Sequence, residues 1–172
     1  MMITFIGMPG AGKSCMSKYV GKRLDKKIVD GDRLIEHNTG RRLQEIINTD
    51  GLEAFKELER QTLLSITDTS LIVSPGGSAV YYDDVMQHFK NNGIIVYLYV
   101  SFETMKTRLG DYSQRGVVLK PGTTLEDLYN EREPLLRKYA DIIVNCDGNA
   151  FPRYHAETME KINKLIEQNK SI

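Results

Sequence analysis

The run Gly7-Met8-Pro9-Gly10-Ala11-Gly12-Lys13-Ser14 follows a short apolar stretch, precedes a helix-like one, and satisfies G-x-x-x-x-G-K-[ST] at every fixed position. That pattern is built for polyphosphate. Glycines let backbone N–H groups close around a β-phosphate, the Lys13 ammonium reaches β- and γ-oxygens, and the Ser14 hydroxyl offers an oxygen to Mg2+. Pro9, Ala11 and Cys15 complete the nucleotide-contacting stretch, with Cys15 read either as a reactive thiol beside the phosphates or as a small packed residue. The plainer alternative, a glycine-rich turn with an exposed lysine, is disfavoured by the position of the motif directly after a strand-like run. A phosphate loop alone does not separate kinases from GTPases or motors. The chain has no N-K-x-D guanine signature and is short for a motor, which favours a small-molecule kinase.

Asp30-Gly31-Asp32 closes the second apolar run and puts two carboxylates at the carboxyl edge of a sheet, where ligands of open α/β folds collect. One carboxylate can hold Mg2+ through water while the other takes a proton from an acceptor hydroxyl. The structural alternative makes Asp32 the N-cap of a helix starting near Arg33. An EF-hand is excluded, because the further ligands and the closing glutamate are missing.

Five apolar runs could carry these groups: Ile3–Ile6, Lys27–Asp30, Leu71–Ser74, Ile94–Val100 and Asp141–Asn145 read as buried strands between helical stretches. Parallel strands need crossovers, and crossover helices cover both faces, so the pattern predicts a three-layer α/β/α fold on a five-stranded parallel sheet. The spacing of Leu52, Phe55, Leu58, Leu63 and Ile66 predicts a helix, and a second begins near Pro152 and carries Met159, Ile162, Leu165 and Ile166. The polar segment 110–124, punctuated by Gly110, Gly116, Pro121 and Gly122, reads as a mobile lid. One domain spanning 1–172 is expected, with acceptor-side helices at about 33–66.

Composition narrows the partners. Lys plus Arg and Asp plus Glu each number 23 in 172 residues, giving zero net charge without a long basic run, which argues against nucleic-acid or membrane-surface binding. The 41% hydrophobic content fits a globular chain, and no secretory or membrane-spanning stretch is visible, so a cytoplasmic monomer is expected. Cys15 and Cys146 lack metal-type spacing; His37, His88 and His155 are scattered and read as surface or packing residues.

The ordered motifs resemble those of the shikimate kinase family from the phosphate loop to about Pro152. The matches are Gly7–Ser14, Asp30-Gly31-Asp32, Phe55-Lys56-Glu57-Leu58-Glu59, Gly76-Gly77-Ser78, Arg115-Gly116-Val117-Val118 and Arg132-Glu133-Pro134-Leu135-Leu136. The resemblance implies ATP, Mg2+ and γ-phosphoryl transfer to a ring hydroxyl of a small carboxylated polyol. It places Asp30 near Mg2+, makes Asp32 the base, closes Arg115 over the phosphates, stacks Arg108 on adenine, and brings Arg132 to the acceptor carboxylate. Gly76, Gly77 and Ser78 would approach the acceptor ring.

The departures fall on the acceptor side. Lys56 stands where the family has an arginine for the acceptor carboxylate, and an ammonium lacks the planar two-pronged donor set. Arg60, one turn on, reads either as a substitute or as a solvated helix charge. Ser78 replaces a third glycine, the lid loses the proline and leucines after Arg115, and Leu136 stands in place of tyrosine. The leading expectation is therefore a kinase acting on shikimate. The alternatives are a kinase of a related acid such as a gluconate-like polyol, and a nucleotide-binding module without phosphoryl transfer. The cations Lys13, Lys56, Arg108, Arg115 and Arg132 are expected to converge on one locally basic cleft.

Overall fold

A computed structural model describes residues 1–110, 119–148 and 150–170. Its strands are β1 (Met2–Gly7), β2 (Ile28–Asp30), β3 (Ile72–Ser74), β4 (Gly93–Tyr99) and β5 (Ile142–Asn145). They form one sheet in the order β2-β3-β1-β4-β5, with every pairing parallel. The five apolar runs read from the sequence are these five strands. Strand β1 is buried along its whole length because both neighbours and both helical layers cover it, which explains its unbroken apolar character. In the register of the central pair, Gly7 lies beside Leu98, so the phosphate loop starts level with the carboxyl end of β4.

The helices are α1 (Lys13–Leu24), α2 (Gly31–Thr39), α3 (Leu43–Asp50), α4 (Leu52–Leu64), α5 (Asp83–Asn92), α6 (Phe102–Leu109), α7 (Leu125–Tyr139) and α8 (Phe151–Lys170). Helices α1 and α8 pack on each other and on the sheet, whereas α5 and α7 lie against β4 and α4 leans on α5. Local chemistry sets several ends. Thr124 and Asp127 form a reciprocal capping box at the start of α7, and Ser101 caps α6 through Thr104 N–H. Pro152 sits in the first turn of α8, where its missing N–H costs nothing.

Two apolar clusters hold the chain. The large one runs through the sheet and includes Phe5, Phe89, Tyr97 and Tyr154; the small one joins Ile35, Ile46 and Phe55 from α2, α3 and α4. No helix among the described residues is long and apolar enough to cross a membrane. Of the segment 110–124, residues 111–118 lie outside the described residues, and with them Arg115 and the Gly116-Val117-Val118 match.

Candidate active site

The phosphate loop leaves β1 at Gly7 and enters α1 at Lys13. Gly10 and Gly12 have φ of 77° and 94°, left-handed values that a side chain would strain, so both fixed glycines serve the backbone path. Ala11 N–H donates to the Met8 carbonyl at 3.1 Å, tightening the turn. Lys13 Nζ donates to the carbonyls of Gly7 at 2.9 Å and Met8 at 3.0 Å, which holds the ammonium over the loop. Burial, and then the Arg132 charge, bring its pKa down to about 8, so it stays a cation near neutrality. Ser14 and Cys15 are exposed at the start of α1. Cys15 is therefore not a packed residue: its Sγ lies 3.9 Å from His155 Nε2, and His155 in turn stacks on Tyr19. Cys146 is buried and free, and burial pushes its thiol up to about 12.

Arg108, on α6, donates to the carbonyls of Gly10 at 3.3 Å, Cys146 at 2.5 Å and Gly148 at 2.7 Å. It thus ties the phosphate loop to the β5–α8 connection and lies 5.7 Å from the Phe151 ring centre.

The helix after β2 is capped by Asp30, not by Asp32. Asp30 is extended, and its Oδ1 accepts from Arg33 N–H at 3.1 Å, so α2 begins at Gly31 and Asp32 occupies its first turn with its carboxylate free for the cleft. Burial, then the charges of Asp30 and Glu59, raise the Asp32 pKa to about 6. Asp32 Oδ1 and Glu59 Oε1 both come within 2.8 Å of the point where a Cβ on Gly76 would sit, so two carboxylates meet over that glycine. Any side chain at Gly76 would displace them.

On the acceptor side the structure separates residues that the sequence grouped. Lys56 lines the cleft, yet its Nζ is held at 2.8 Å by Glu53, itself an exposed side chain. Arg60 does not substitute for it: the guanidinium binds Asp84 and Glu57 away from the cleft, because position 60 is a turn further around α4. Arg132, from α7, crosses to the Gly76-Gly77-Ser78 turn, where its Nη1 lies 2.6 Å from a notional Cβ on Gly77. A side chain at Gly77 would make that guanidinium swing aside. Arg132 Nε donates to Tyr81 Oη at 3.3 Å, with the guanidinium 5.4 Å from that ring. Leu136, at the family's tyrosine position, is a 2% exposed core residue and does not reach the site.

Two hydroxyls complete the turn: that of Ser78, which the sequence reading places at the acceptor ring, and that of Tyr82, which it left without a role. Ser78 Oγ donates to the Glu59 carboxylate, at 2.7 Å from each oxygen, and Tyr82 Oη donates to Oε2 at 2.7 Å. Glu59 had a visible signal: it lies four residues after Phe55 and four before Leu63, on the apolar stripe of α4. A carboxylate there has to be satisfied inside the fold. Tyr82 had no comparable signal.

These elements frame one cleft of about 750 Å3, lined by Lys13, Asp32, Glu59, Gly77, Ser78 and Arg132 among others. Of the cations expected to converge, Lys13, Lys56 and Arg132 line it, and Arg115 lies outside the described residues. Arg108 stands beside it, and among the described residues Lys13, Arg42, Lys56, Lys120 and Arg132 are matched in the lining by Asp30, Asp32, Glu36, Glu59 and Glu131.

A phosphate loop at the carboxyl end of a parallel sheet, with a poised carboxylate across the cleft, defines a P-loop kinase for a small hydroxylated acceptor. The fold agrees: deoxyadenosine kinase from M. mycoides superimposes with a TM-score of 0.56 at 21% identity, covering 95% of this chain and 100% of that one. The family is narrower. The shikimate kinase family model matches residues 9–167. The shikimate kinase of Sulfurihydrogenibium sp. is 32% identical over 163 residues, covering 94% of this chain and 98% of the relative. A solved shikimate kinase from Acinetobacter baumannii, in complex with shikimate, gives a TM-score of 0.82 at 28% identity, covering 98% and 94% of the two chains. This chain belongs to the shikimate kinase family.

Proposed function

We propose that the protein transfers the γ-phosphoryl group of ATP to a ring hydroxyl of shikimate, giving shikimate 3-phosphate and ADP. The observation that carries this reading is the placing of Lys13, Asp32 and Arg132, from three distant parts of the chain, in one cleft. Asp32 accepts the proton of the attacking hydroxyl as the new O–P bond forms and the β–γ bridging P–O bond breaks. A pKa of about 6 suits that task, since the group is mostly ionised at neutral pH yet basic enough to take a proton. Lys13 balances the charge that develops on the transferred group and on the leaving ADP.

Ser14 and Asp30 present a hydroxyl and a carboxylate, the hard oxygen donors that suit Mg2+, which needs few protein ligands beside phosphate and water. Bound there, the ion would supply charge neutralisation of the phosphates. Gly7, Pro9, Gly10, Ala11, Gly12 and Cys15 shape the phosphate cradle. Arg108, engaged through its N–H edges, keeps the guanidinium plane in which an adenine ring can stack. The family resemblance would bring Arg115, outside the described residues, to the phosphates. Arg132 receives the acceptor carboxylate; Gly76, Gly77 and Ser78 bound its ring; Lys56 contributes charge from the rim.

The test is ATP turnover followed by ADP release with shikimate, compared with gluconate-like polyol acids at the same concentration. Shikimate is expected to raise the rate most, well above the ATP hydrolysis background. A rate no better than background would sink the assignment, and preference for another acid would move it to that substrate. Lys56 held by Glu53, and a hydroxyl in place of a glycine at Ser78, are the observations that make those acids the appropriate comparison.

A further inference from the structure

Among the described residues, Glu59 is the one Asp, Glu, Lys or Arg left with almost no exposed surface, at 2%. Such a carboxylate ordinarily requires a cation. Two are at hand: Lys56 lies one turn back on the same helix, and the Arg132 charge acts on Glu59 across the cleft. Neither is its hydrogen-bond partner. Lys56 turns to Glu53, and Arg132 lies on Gly77 with its Nε on the Tyr81 hydroxyl. Glu59 is satisfied instead by the hydroxyls of Ser78 and Tyr82.

This arrangement bears on the acceptor. Arg132 already reaches the turn that carries Ser78, one residue from the Glu59 contacts. Without the two hydroxyls, Glu59 would be an undersatisfied buried anion, and the cheapest remedy is a forked ion pair with that guanidinium. The pair would consume the N–H groups that an acceptor carboxylate needs. Burial raises the Glu59 pKa and the Ser78 and Tyr82 hydrogen bonds oppose it, so the clamp favours the ionised form. Burial and the neighbouring Glu59 charge push the Tyr82 phenol up, which keeps it a donor.

We infer that Ser78 and Tyr82 are positioning residues: their hydroxyls hold the Glu59 carboxylate off Arg132, leaving the guanidinium open to the carboxylate of the phosphoryl acceptor. The inference rests on the reading of the cleft as an acceptor site. It also gives the serine at a family glycine position a purpose, as one of the donors that lets Glu59 do without a neighbouring arginine.

Steady-state kinetics on the full chain test it, with shikimate and ATP varied separately. The double variant Ser78→Ala/Tyr82→Phe is expected to raise the shikimate KM roughly tenfold, the scale of a lost charge-assisted contact, with kcat and the ATP KM unchanged. Adding Glu59→Gln removes the competing charge and should recover most of the shikimate KM. A merely structural clamp would not respond in that way. If the double variant does not fold, the same rescue is read in Tyr82→Phe alone, with and without Glu59→Gln. An unchanged KM in the hydroxyl-free variants, or a raised KM that Glu59→Gln fails to reverse, overturns the inference while leaving the proposed function intact. A wild-type enzyme inert toward shikimate overturns both.

Discussion

The two sides of the cleft are built from different materials. The nucleotide side is backbone held by bulk: the loop from Gly7 to Gly12 hangs between a fully buried strand and α1, its path set by positive-φ glycines and by Lys13 donating back to its carbonyls. The acceptor side is side chains on a small frame, in which α2, α3 and α4 share a separate cluster of Ile35, Ile46 and Phe55. A backbone site tolerates little change, because its geometry is set by positive φ values and by the sheet beneath it. A side-chain site can be rewired by moving hydrogen bonds. Here the phosphate loop matches its motif throughout, while Lys56, Ser78 and Leu136 have each taken other partners or places.

Substitutions on each side should separate the two modes. Lys13→Ala should be the most damaging, lowering kcat by roughly a thousandfold and weakening ATP as well, because it removes the cation facing the transferred group. Retained kcat, measured at saturating shikimate, would break the assignment of the nucleotide side. Asp32→Asn should reduce kcat by about a hundredfold or more with ATP binding preserved, read by calorimetric titration beside the kinetics.

Asp32 also carries a stability signature in the ligand-free protein. Its folded pKa of about 6 lies above the ordinary aspartate value of 3.8, so the unfolded chain loses this proton first and stability falls as pH rises between those values. Asp32→Asn should therefore melt higher than wild type above pH 6, and the gap should close below pH 4. A gap independent of pH would mean that the carboxylate is not buried as described.

Arg132→Ala should come next, raising the shikimate KM roughly tenfold or more with the ATP KM little changed, since among the described residues its guanidinium has no acidic hydrogen-bond partner to give up. Lys56→Ala should do least. Its ammonium is spent on an exposed glutamate, and surface pairs of that kind contribute little, so a KM shift below about threefold is expected. If Lys56→Ala proved as costly as Arg132→Ala, the acceptor side would rely on the family's usual basic position after all.

Legibility in the sequence follows the same division. The strands were readable because a sheet covered on both faces demands unbroken apolar runs, and β1 to β5 fall within a residue or so of those runs. The phosphate loop was readable because phosphate recognition by backbone demands fixed glycines. The alternative of Asp32 as the cap of α2 is removed only by the structure, since Asp30 and Asp32 are chemically equal and the backbone conformation at Asp30 decides between them. Arg60 was ambiguous for a similar reason: Asp84, its partner, comes from another helix and no spacing announces it. The Glu59 clamp depends on contacts between residues 19 and 23 positions apart, which periodicity along one helix does not encode. Of the anticipated cations, Lys13, Lys56 and Arg132 do meet in the cleft, and what counting cations overlooked is the acids that the fold brings to the same lining.

The most direct test of the account follows the phosphorus. ATP, Mg2+, shikimate and the wild-type protein are combined, and the products are read by 31P NMR. The account predicts a new phosphomonoester on the acceptor, with ADP formed in equal amount and no appreciable inorganic phosphate. Inorganic phosphate as the sole new signal, or no change in ATP, would contradict it.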